Sequence, residues 1–418
     1  MPMSRLFPRL AAADRKRLSR KLTLGLALGG ILGFMAAPGF AAAAGPFDVR
    51  FAEKPEHVIL YIIDGLSYKT WDRLDLPVLK KMISGGVLVE KNYLPPSEHP
   101  TQGSYAELHS CSIPNPVMMS GTLFLTKETE YFPQNLFPRS LSAFVANGLT
   151  YRSLDRFYHF SYQKSGPDPE GVEAALEIMK RSRPVFMRVH LKEVGEASFQ
   201  ILSITENVPW RRNIWAEGSP YVKMLKRADE LLGRFLSELE KNGLLPKTAL
   251  LVMGDHGEAD TGYHPPECLD ASITSIILWG AGIKRGLTIP YAEHMDVVPT
   301  LCALLNIEPP KTCQGRVIGE ALASYKKALP PRQMTLKKLL EQFDEFRAKE
   351  AEAAFRLAKL TSTEISRLYR EFGNLRSSFY GIKRFVEWPR FKTAEELAEN
   401  NTKALGQLKL FLEELRKL

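Results

Sequence analysis

Short apolar, β-branched segments alternate with amphipathic segments of helical periodicity along the first three quarters of the sequence. Such alternation indicates an α/β fold with a mostly parallel central sheet and helices on both faces. In these sheets ligands bind beyond the carboxyl ends of the strands. Strands are predicted at His57–Ile63, Val87–Glu90, Pro184–His190, Thr248–Met253 and Ile273–Trp279. Helices are predicted at Pro77–Ser84, Gly171–Arg181 and Tyr221–Asn242.

The composition changes near Met334. From there to Leu418 Gly and Pro are scarce, and the pattern predicts two or more long amphipathic helices separated near Trp388-Pro389. We therefore divide the chain into a leader (1–44), an α/β domain (45–333) and a C-terminal all-helical extension (334–418). Packing on the main domain is the default expectation for the extension. Capping of the site and self-association with another chain stay open.

The leader has the three parts of a secretory signal peptide. A basic stretch ending at Arg20-Lys21 precedes the apolar run Leu22–Ala37, which small residues follow. A membrane-spanning helix needs about 20 apolar residues, so this run is short, and an uncleaved anchor is the alternative. The leader holds seven basic residues and one acidic residue, which is +6 of the formal net charge of +9. We expect a periplasmic or secreted protein with no transmembrane span in the mature chain and no nucleic-acid partner.

Four cysteines fit an oxidising compartment. Cys302 and Cys313 bracket a short turn, and Cys111 and Cys268 lie beside the two segments that are expected to form the site. One or two disulfides are therefore predicted, as Cys302–Cys313 and Cys111–Cys268. Free buried thiols are the alternative.

Two predicted strands end in residues that bind metals. Asp64 ends the first strand in ILYIIDG, although Asp-Gly is also common in turns. The segment LLVMGDHGE places Asp255 and His256 at a second strand end, and His264 follows eight residues after His256. Carboxylates and a neutral imidazole suit Zn²⁺ or a similar divalent ion, so a metal site is predicted here.

A strand ending in Asp, a Thr at a helix start, a later Asp-His-Gly and a further His together resemble the alkaline phosphatase superfamily. The nucleotide pyrophosphatase/phosphodiesterase branch is the most similar. The stretch TQGSYAELHSCSIP, which begins at Thr101, has the frame of the family's nucleophile helix, and YAEHMDVVPTLCALLNIEPP resembles its closing segment. The likeness spans roughly residues 55 to 315 and leaves out the helical extension.

The resemblance implies roles for these residues. Asp64, Thr101, Asp255 and His256 would hold one divalent metal, expected to be Zn²⁺, and His264 would belong to a second. Thr101, at a helix N-terminus, would attack a phosphate ester and form a phosphothreonine. The expected protein is an exported metal-dependent phosphodiesterase or phosphatase. A phosphotransferase or a sulfatase-like relative is one alternative, although no Cys-x-Pro-x-Arg occurs at Thr101. A catalytically degraded binding or envelope-assembly module is the other.

The second metal site departs from the family pattern. Members with two zinc ions supply an Asp and a His from a D-x-x-G-H segment, which here reads RVHLKEVGEAS. Glu193 and Glu196 are therefore the candidate ligands of an altered site, which would accept Mn²⁺ or Ca²⁺ better than an all-nitrogen site. His190 lies nearby, with a side chain that can equally point into the sheet. Asn115 is the candidate for binding substrate.

Overall fold

The structure is a computed structural model that describes residues 49–95, 100–112, 132–148, 154–325, 334–361 and 363–418. The leader and Asn115 lie outside these ranges, so the signal peptide and the substrate-binding role of Asn115 stay predictions. Within the ranges, no helix is long and apolar enough to span a membrane.

In the described part of the chain the central sheet has eight strands. They are β1 His57–Ile63, β2 Val87–Tyr93, β3 Ser142–Ala146, β4 Phe160–Gln163, β5 Phe186–Leu191, β6 Thr248–Met253, β7 Ile273–Gly280 and β8 Leu287–Glu293. Their order across the sheet is β4-β3-β5-β1-β6-β7-β2-β8. Neighbouring strands run parallel except around β7, which is antiparallel to both β6 and β2. The predicted mostly parallel α/β sheet is confirmed.

Helices cover both faces of this sheet. Side chains of a strand alternate between its two faces, so β1 supplies two cores. Ile59 and Tyr61 pack with the helices Pro77–Gly85, Asp168–Ser182 and Pro220–Lys241, and Leu60 packs with the helices Pro100–Ser110 and Val297–Leu305. The α-helices of the described residues are α1 Thr70–Arg73, α2 Pro77–Gly85, α3 Pro100–Ser110, α4 Asp168–Ser182, α5 Glu193–Ser203, α6 Pro220–Lys241, α7 Val297–Leu305, α8 Thr335–Leu357, α9 Ile365–Ser378 and α10 Ala394–Lys417.

The helical extension consists of α8, α9 and α10, with a 3-10 segment at Ile382–Arg390 that contains Pro389 and gives the predicted break. Its core includes Tyr93, Ile273 and Tyr291 from the sheet. The extension therefore packs on the α/β domain. Its status as a separate domain and its self-association stay predictions.

The disulfide differs from both predicted pairings. Cys111, directly after α3, is bonded to Cys313, and Cys268 and Cys302 are free thiols. Cys302 lies on α7 with its side chain buried in the core. The chain after α7 then returns to the end of α3, where the Gln314 N–H donates to Cys111 O at 2.7 Å. Spacing along the chain could not show this return, so both predicted pairs are wrong.

Candidate metal centre

Three neighbouring parallel strands bring the polar side chains together. The order β5-β1-β6 places Asp64, which follows β1, between the end of β5 and the end of β6. His190 lies at the end of β5, beside Ile62 of β1, and Asp255 and His256 follow β6. The carboxyl ends of parallel strands meet at one sheet edge, so these side chains converge there.

Hydrogen bonds orient Asp255 and His256. Asp255 Oδ1 accepts from the backbone N–H groups of Gly65 and His256, both at 3.1 Å. His256 Nδ1 lies 2.9 Å from Gly257 O. A carbonyl oxygen can only accept, so Nδ1 bears a proton, and in the neutral imidazole Nε2 then presents its lone pair. That lone pair lies 3.5 Å from Asp255 Oδ2 and 3.6 Å from Asp64 Oδ1.

This arrangement fits a divalent cation. A lone pair that faces two carboxylate oxygens is repelled by them unless a positive charge lies between. Ligands about 2.0–2.2 Å from a tetrahedral Zn²⁺ are about 3.3–3.6 Å apart, which matches the separations around His256. Asp255 Oδ2 is buried and has no hydrogen-bond partner in the described part of the chain. His256 is therefore spaced to share a divalent ion with Asp64 or with Asp255. Among the described residues, the three-residue groups with all ligand atoms within 4.8 Å are Asp64, His190 and Asp255, and Asp64, His256 and Glu258.

Burial and like charges raise the pKa values of these carboxyl groups. Burial raises the pKa of Asp64 well above its ordinary value, and the charges of Asp255 and Glu258 raise it further. Burial also raises the pKa of Asp255 to about 7, although the hydrogen bond from the Gly65 N–H lowers it. A bound divalent ion reverses this effect, because it displaces the protons.

Two residues that the sequence analysis did not assign lie in this cluster. His190 Nε2 is 3.4 Å from Asp64 Oδ2. Donor atoms of Asp64, His190 and Asp255 lie within 4.8 Å of one another, and so do those of Asp64, His256 and Glu258. Glu258 could have been found, since it stands three residues after Asp255 in the DHGE segment. His190 gave no such signal, because an alternating strand does not show which face is near the site.

Thr101, the predicted nucleophile, lies near the start of α3. It is the second residue of α3 and lines a pocket of about 580 Å³ together with Asp64, Glu196 and His264. The ring centroid of His264 is 4.1 Å from that of His256. Thr101 therefore shares one pocket with three of the predicted ligands, Asp64, Glu196 and His264.

Glu193 and Glu196, the candidate ligands of a second ion, lie on the first turn of α5 and have cationic partners. Glu196 accepts from Lys192 Nζ at 2.6 Å, and Glu193 lies 3.7 Å from Arg227. Glu196 lines the pocket, but neither glutamate belongs to a metal-competent group among the described residues. Their role as ligands stays a prediction.

Two glycines allow the carboxylates to lie this close to the backbone. A Cβ on Gly195 would lie 2.0 Å from Asp64 Oδ1. A Cβ on Gly65, where φ is +68°, would lie 2.3 Å from Glu258 Oε1. No other residue fits at either position without movement of the carboxylate.

Comparison by sequence finds relatives for part of the chain. The family model described as Sulfatase matches residues 156–307, a segment that contains Asp255, His256 and His264 but neither Asp64 nor Thr101. GPI ethanolamine phosphate transferase 2 of Debaryomyces hansenii is 27% identical over 148 residues, which are 32% of this chain and 16% of the relative. The matches span only 14% to 22% of the length of such curated relatives.

Solved structures share the fold over about two thirds of the chain. The phosphonate monoester hydrolase of Silicibacter pomeroyi aligns with a TM-score of 0.51 and 14% identity, over 66% of this chain and 78% of that one. Human ectonucleotide pyrophosphatase/phosphodiesterase 5 aligns with a TM-score of 0.51 and 12% identity, over 64% of this chain and 100% of that one. Identities this low establish the fold and nothing finer.

Proposed function

We propose that this chain is a member of the alkaline phosphatase superfamily and a metal-dependent enzyme that cleaves phosphodiesters with Thr101 as nucleophile. Its fold and the segment that matches the Sulfatase family model support this proposal. The observation that carries the proposal is the lone pair of His256 Nε2, directed at Asp64 and Asp255 beside a pocket that Thr101 lines. Such a site would hold a cation beside the pocket and present the Thr101 hydroxyl to an ester bound in it.

Asp64, Thr101, Asp255 and His256 would hold the ion. When bound, a divalent ion lowers the pKa of an adjacent hydroxyl and offsets negative charge on phosphoryl oxygens. Thr101 Oγ lies at the N-terminus of an 11-residue helix, where unpaired N–H groups favour negative charge. These residues therefore favour an oxyanion at Oγ and the charged phosphate group beside it.

The chemistry is a double displacement at phosphorus. A bond forms from Thr101 Oγ to phosphorus as the bond to the leaving alcohol breaks, and Thr101 gives up its proton while the alcohol takes one up. Water, or an acceptor alcohol, then displaces Oγ and restores Thr101. The second nucleophile alone decides between hydrolysis and phosphoryl transfer. We assign hydrolysis to this chain, with transfer as the alternative outcome.

The nucleophile favours phosphate esters over sulfate esters. A threonine stands at the start of α3, and the sequence has no Cys-x-Pro-x-Arg motif there. The Cys111–Cys313 disulfide supports an exported protein, since disulfides persist in oxidising compartments. We therefore propose that the enzyme acts in the periplasm or outside the cell.

Turnover and trapping of the intermediate test this proposal. Purified protein, loaded in turn with Zn²⁺ and Mn²⁺, is assayed with bis-p-nitrophenyl phosphate, p-nitrophenyl phosphate and p-nitrophenyl sulfate. We expect the diester to react fastest and the sulfate not to react. Acid-quenched protein should carry the phosphoryl group on Thr101, as read by peptide mass spectrometry.

Two Thr101 variants separate the hydroxyl from the rest of the site. Thr101→Ala should lose turnover at least about 1,000-fold while it still binds metal through the other three ligands. Thr101→Ser keeps the hydroxyl and should retain part of the rate. Parental turnover in Thr101→Ala would refute the covalent mechanism. A metal-loaded protein that turns over none of the esters would indicate a binding module instead.

A further inference from the structure

Glu258 is a buried carboxylate that the proposed reaction does not use. Its side chain has no exposure, and its Oε2 accepts a hydrogen bond from Ser198 Oγ at 2.7 Å. Ser198 Oγ in turn accepts from the Tyr263 N–H at 2.9 Å, so the serine proton is directed at Glu258. Glu258 Oε1 has no hydrogen-bond partner in the described ranges. A buried carboxylate oxygen without a partner is costly unless a cation or a proton satisfies it.

The unpartnered oxygen is directed at the metal centre. It lies against Gly65, the residue after Asp64, where a Cβ would be only 2.3 Å away. Donor atoms of Glu258, Asp64 and His256 lie within 4.8 Å of one another. Two ligands of one ion at about 2.1–2.4 Å are separated by at most about 4.2–4.8 Å. The spacing therefore allows Glu258 to share an ion with Asp64 and His256.

We propose that Glu258 is a further ligand of the cation that Asp64 and His256 hold. This inference rests on the metal site of the proposed function but not on its reaction. Added to Asp64, Thr101, Asp255 and His256 of the proposed function, Glu258 brings the site to four oxygen donors and one nitrogen donor. Structural and catalytic zinc sites hold four ligands in a tetrahedron, whereas Mn²⁺ and Ca²⁺ take six or more, mostly oxygens. Glu258 thus shifts the preference of the site from Zn²⁺ towards Mn²⁺.

The selectivity follows from what remains when Glu258 is lost. Without it, Asp64, Thr101, Asp255 and His256 still form a complete four-ligand set for Zn²⁺. A six-coordinate Mn²⁺ would lose one of five protein ligands and one of three negative charges. Removing Glu258 should therefore weaken Mn²⁺ binding much more than Zn²⁺ binding.

Calorimetric titration of the metal-free full-length protein with MnCl₂ and with ZnCl₂ tests the proposal without any turnover. Glu258→Gln is close in shape to the parent and can still accept from Ser198. We expect it to weaken Mn²⁺ binding about 100-fold and Zn²⁺ binding less than about tenfold. Glu371→Gln is the matched control, because that glutamate lies on α9, outside the pocket lining, and is partly exposed and paired with Arg367. It should change neither affinity.

The electron paramagnetic resonance spectrum of bound Mn²⁺ gives a second measurement. The stoichiometry of tightly bound Mn²⁺ should be one ion per chain in the parent. Unchanged Mn²⁺ affinity in Glu258→Gln would show that Glu258 is a neutral, protonated acid and would overturn the proposal. A variant that keeps one Mn²⁺ ion with unchanged affinity and loses a second would place Glu258 on a separate ion and would overturn the proposal as well. If the glutamine variant does not fold, Glu258→Asp is the second variant. Its shorter side chain keeps the negative charge but moves the carboxylate away from the ion, so it should lose Mn²⁺ affinity to a similar extent. Failure of the proposed function would appear differently, as normal metal binding without turnover.

Discussion

Gly195→Ala places a methyl group against the carboxylate that is central to the site. The new Cβ would lie 2.0 Å from Asp64 Oδ1, whereas real Cβ contacts are not shorter than 3.0 Å. Asp64 must therefore move by about 1 Å. Metal–ligand distances tolerate only about 0.2 Å of change, so this shift breaks the bond from Oδ1. We expect metal affinity to fall at least about 100-fold, and turnover of bis-p-nitrophenyl phosphate to fall about 100-fold with it.

The same substitution should leave the protein folded. Overpacking costs about 1–3 kcal/mol, and alanine in a helix is more stable than glycine by up to about 1 kcal/mol. The free energy of unfolding of the metal-free variant should therefore fall by about 2 kcal/mol at most. Gly406→Ala on α10 is the matched control, because nothing lies within 4 Å of its Cβ. It should leave metal binding unchanged and slightly raise stability.

The measurement is calorimetric metal titration together with thermal unfolding of both metal-free variants. If Gly195→Ala bound Mn²⁺ and Zn²⁺ with the parental affinity, Asp64 Oδ1 would not be a ligand. The cation would then not bind between Asp64 and His256. Equal losses of affinity in both variants would show a general helix effect instead.

Three further predictions concern pH, the disulfide and the extension. The raised pKa values of Asp255, about 7, and of Asp64 mean that protons compete with metal for these carboxylates. Metal affinity should therefore weaken by at least about tenfold per pH unit below 7, with proton release in calorimetry, and constant affinity from pH 5 to 7 would contradict this. Cys313→Ser removes the disulfide to Cys111, which joins residues 202 positions apart. In the chain-entropy model this loss lowers the free energy of unfolding by about 5 kcal/mol. Cys111→Gly should lower the free energy of unfolding by about 1 kcal/mol less than Cys313→Ser does, because Cys111 has φ +57°, where glycine is favoured. Equal denaturation midpoints of the two variants would refute this. Leu408 is buried in the core of the extension, so Leu408→Ala should lower the free energy of unfolding by about 2–5 kcal/mol. It should lower the temperature of a single calorimetric transition for the whole chain. A separate second transition would show an independent helical domain.

The sequence by itself determined the elements that local patterns encode. The bounds of β1 and β6 match the predictions because each is an unbroken apolar run that ends at Asp-Gly or Gly-Asp. Asp64 and Asp255-His256 were found for the same reason, since a polar residue directly after a buried strand is visible in the chain. Strands β3, β4 and β8 were not predicted. β4 lies at the sheet edge and is only partly buried, so it does not need an apolar run.

Only the tertiary structure decided which of these segments meet. The order β5-β1-β6 brings His190 to Asp64 across 126 positions of sequence, and no local pattern contains that neighbour relation. The partner of Cys111 depended on the path of the chain after α7, which returns to the end of α3. The direction of Glu258 depended on Gly65, a glycine from another strand end that leaves room for its oxygen. Local periodicity fixes which residues are buried, but strand order and close backbone approach fix which buried groups share a site.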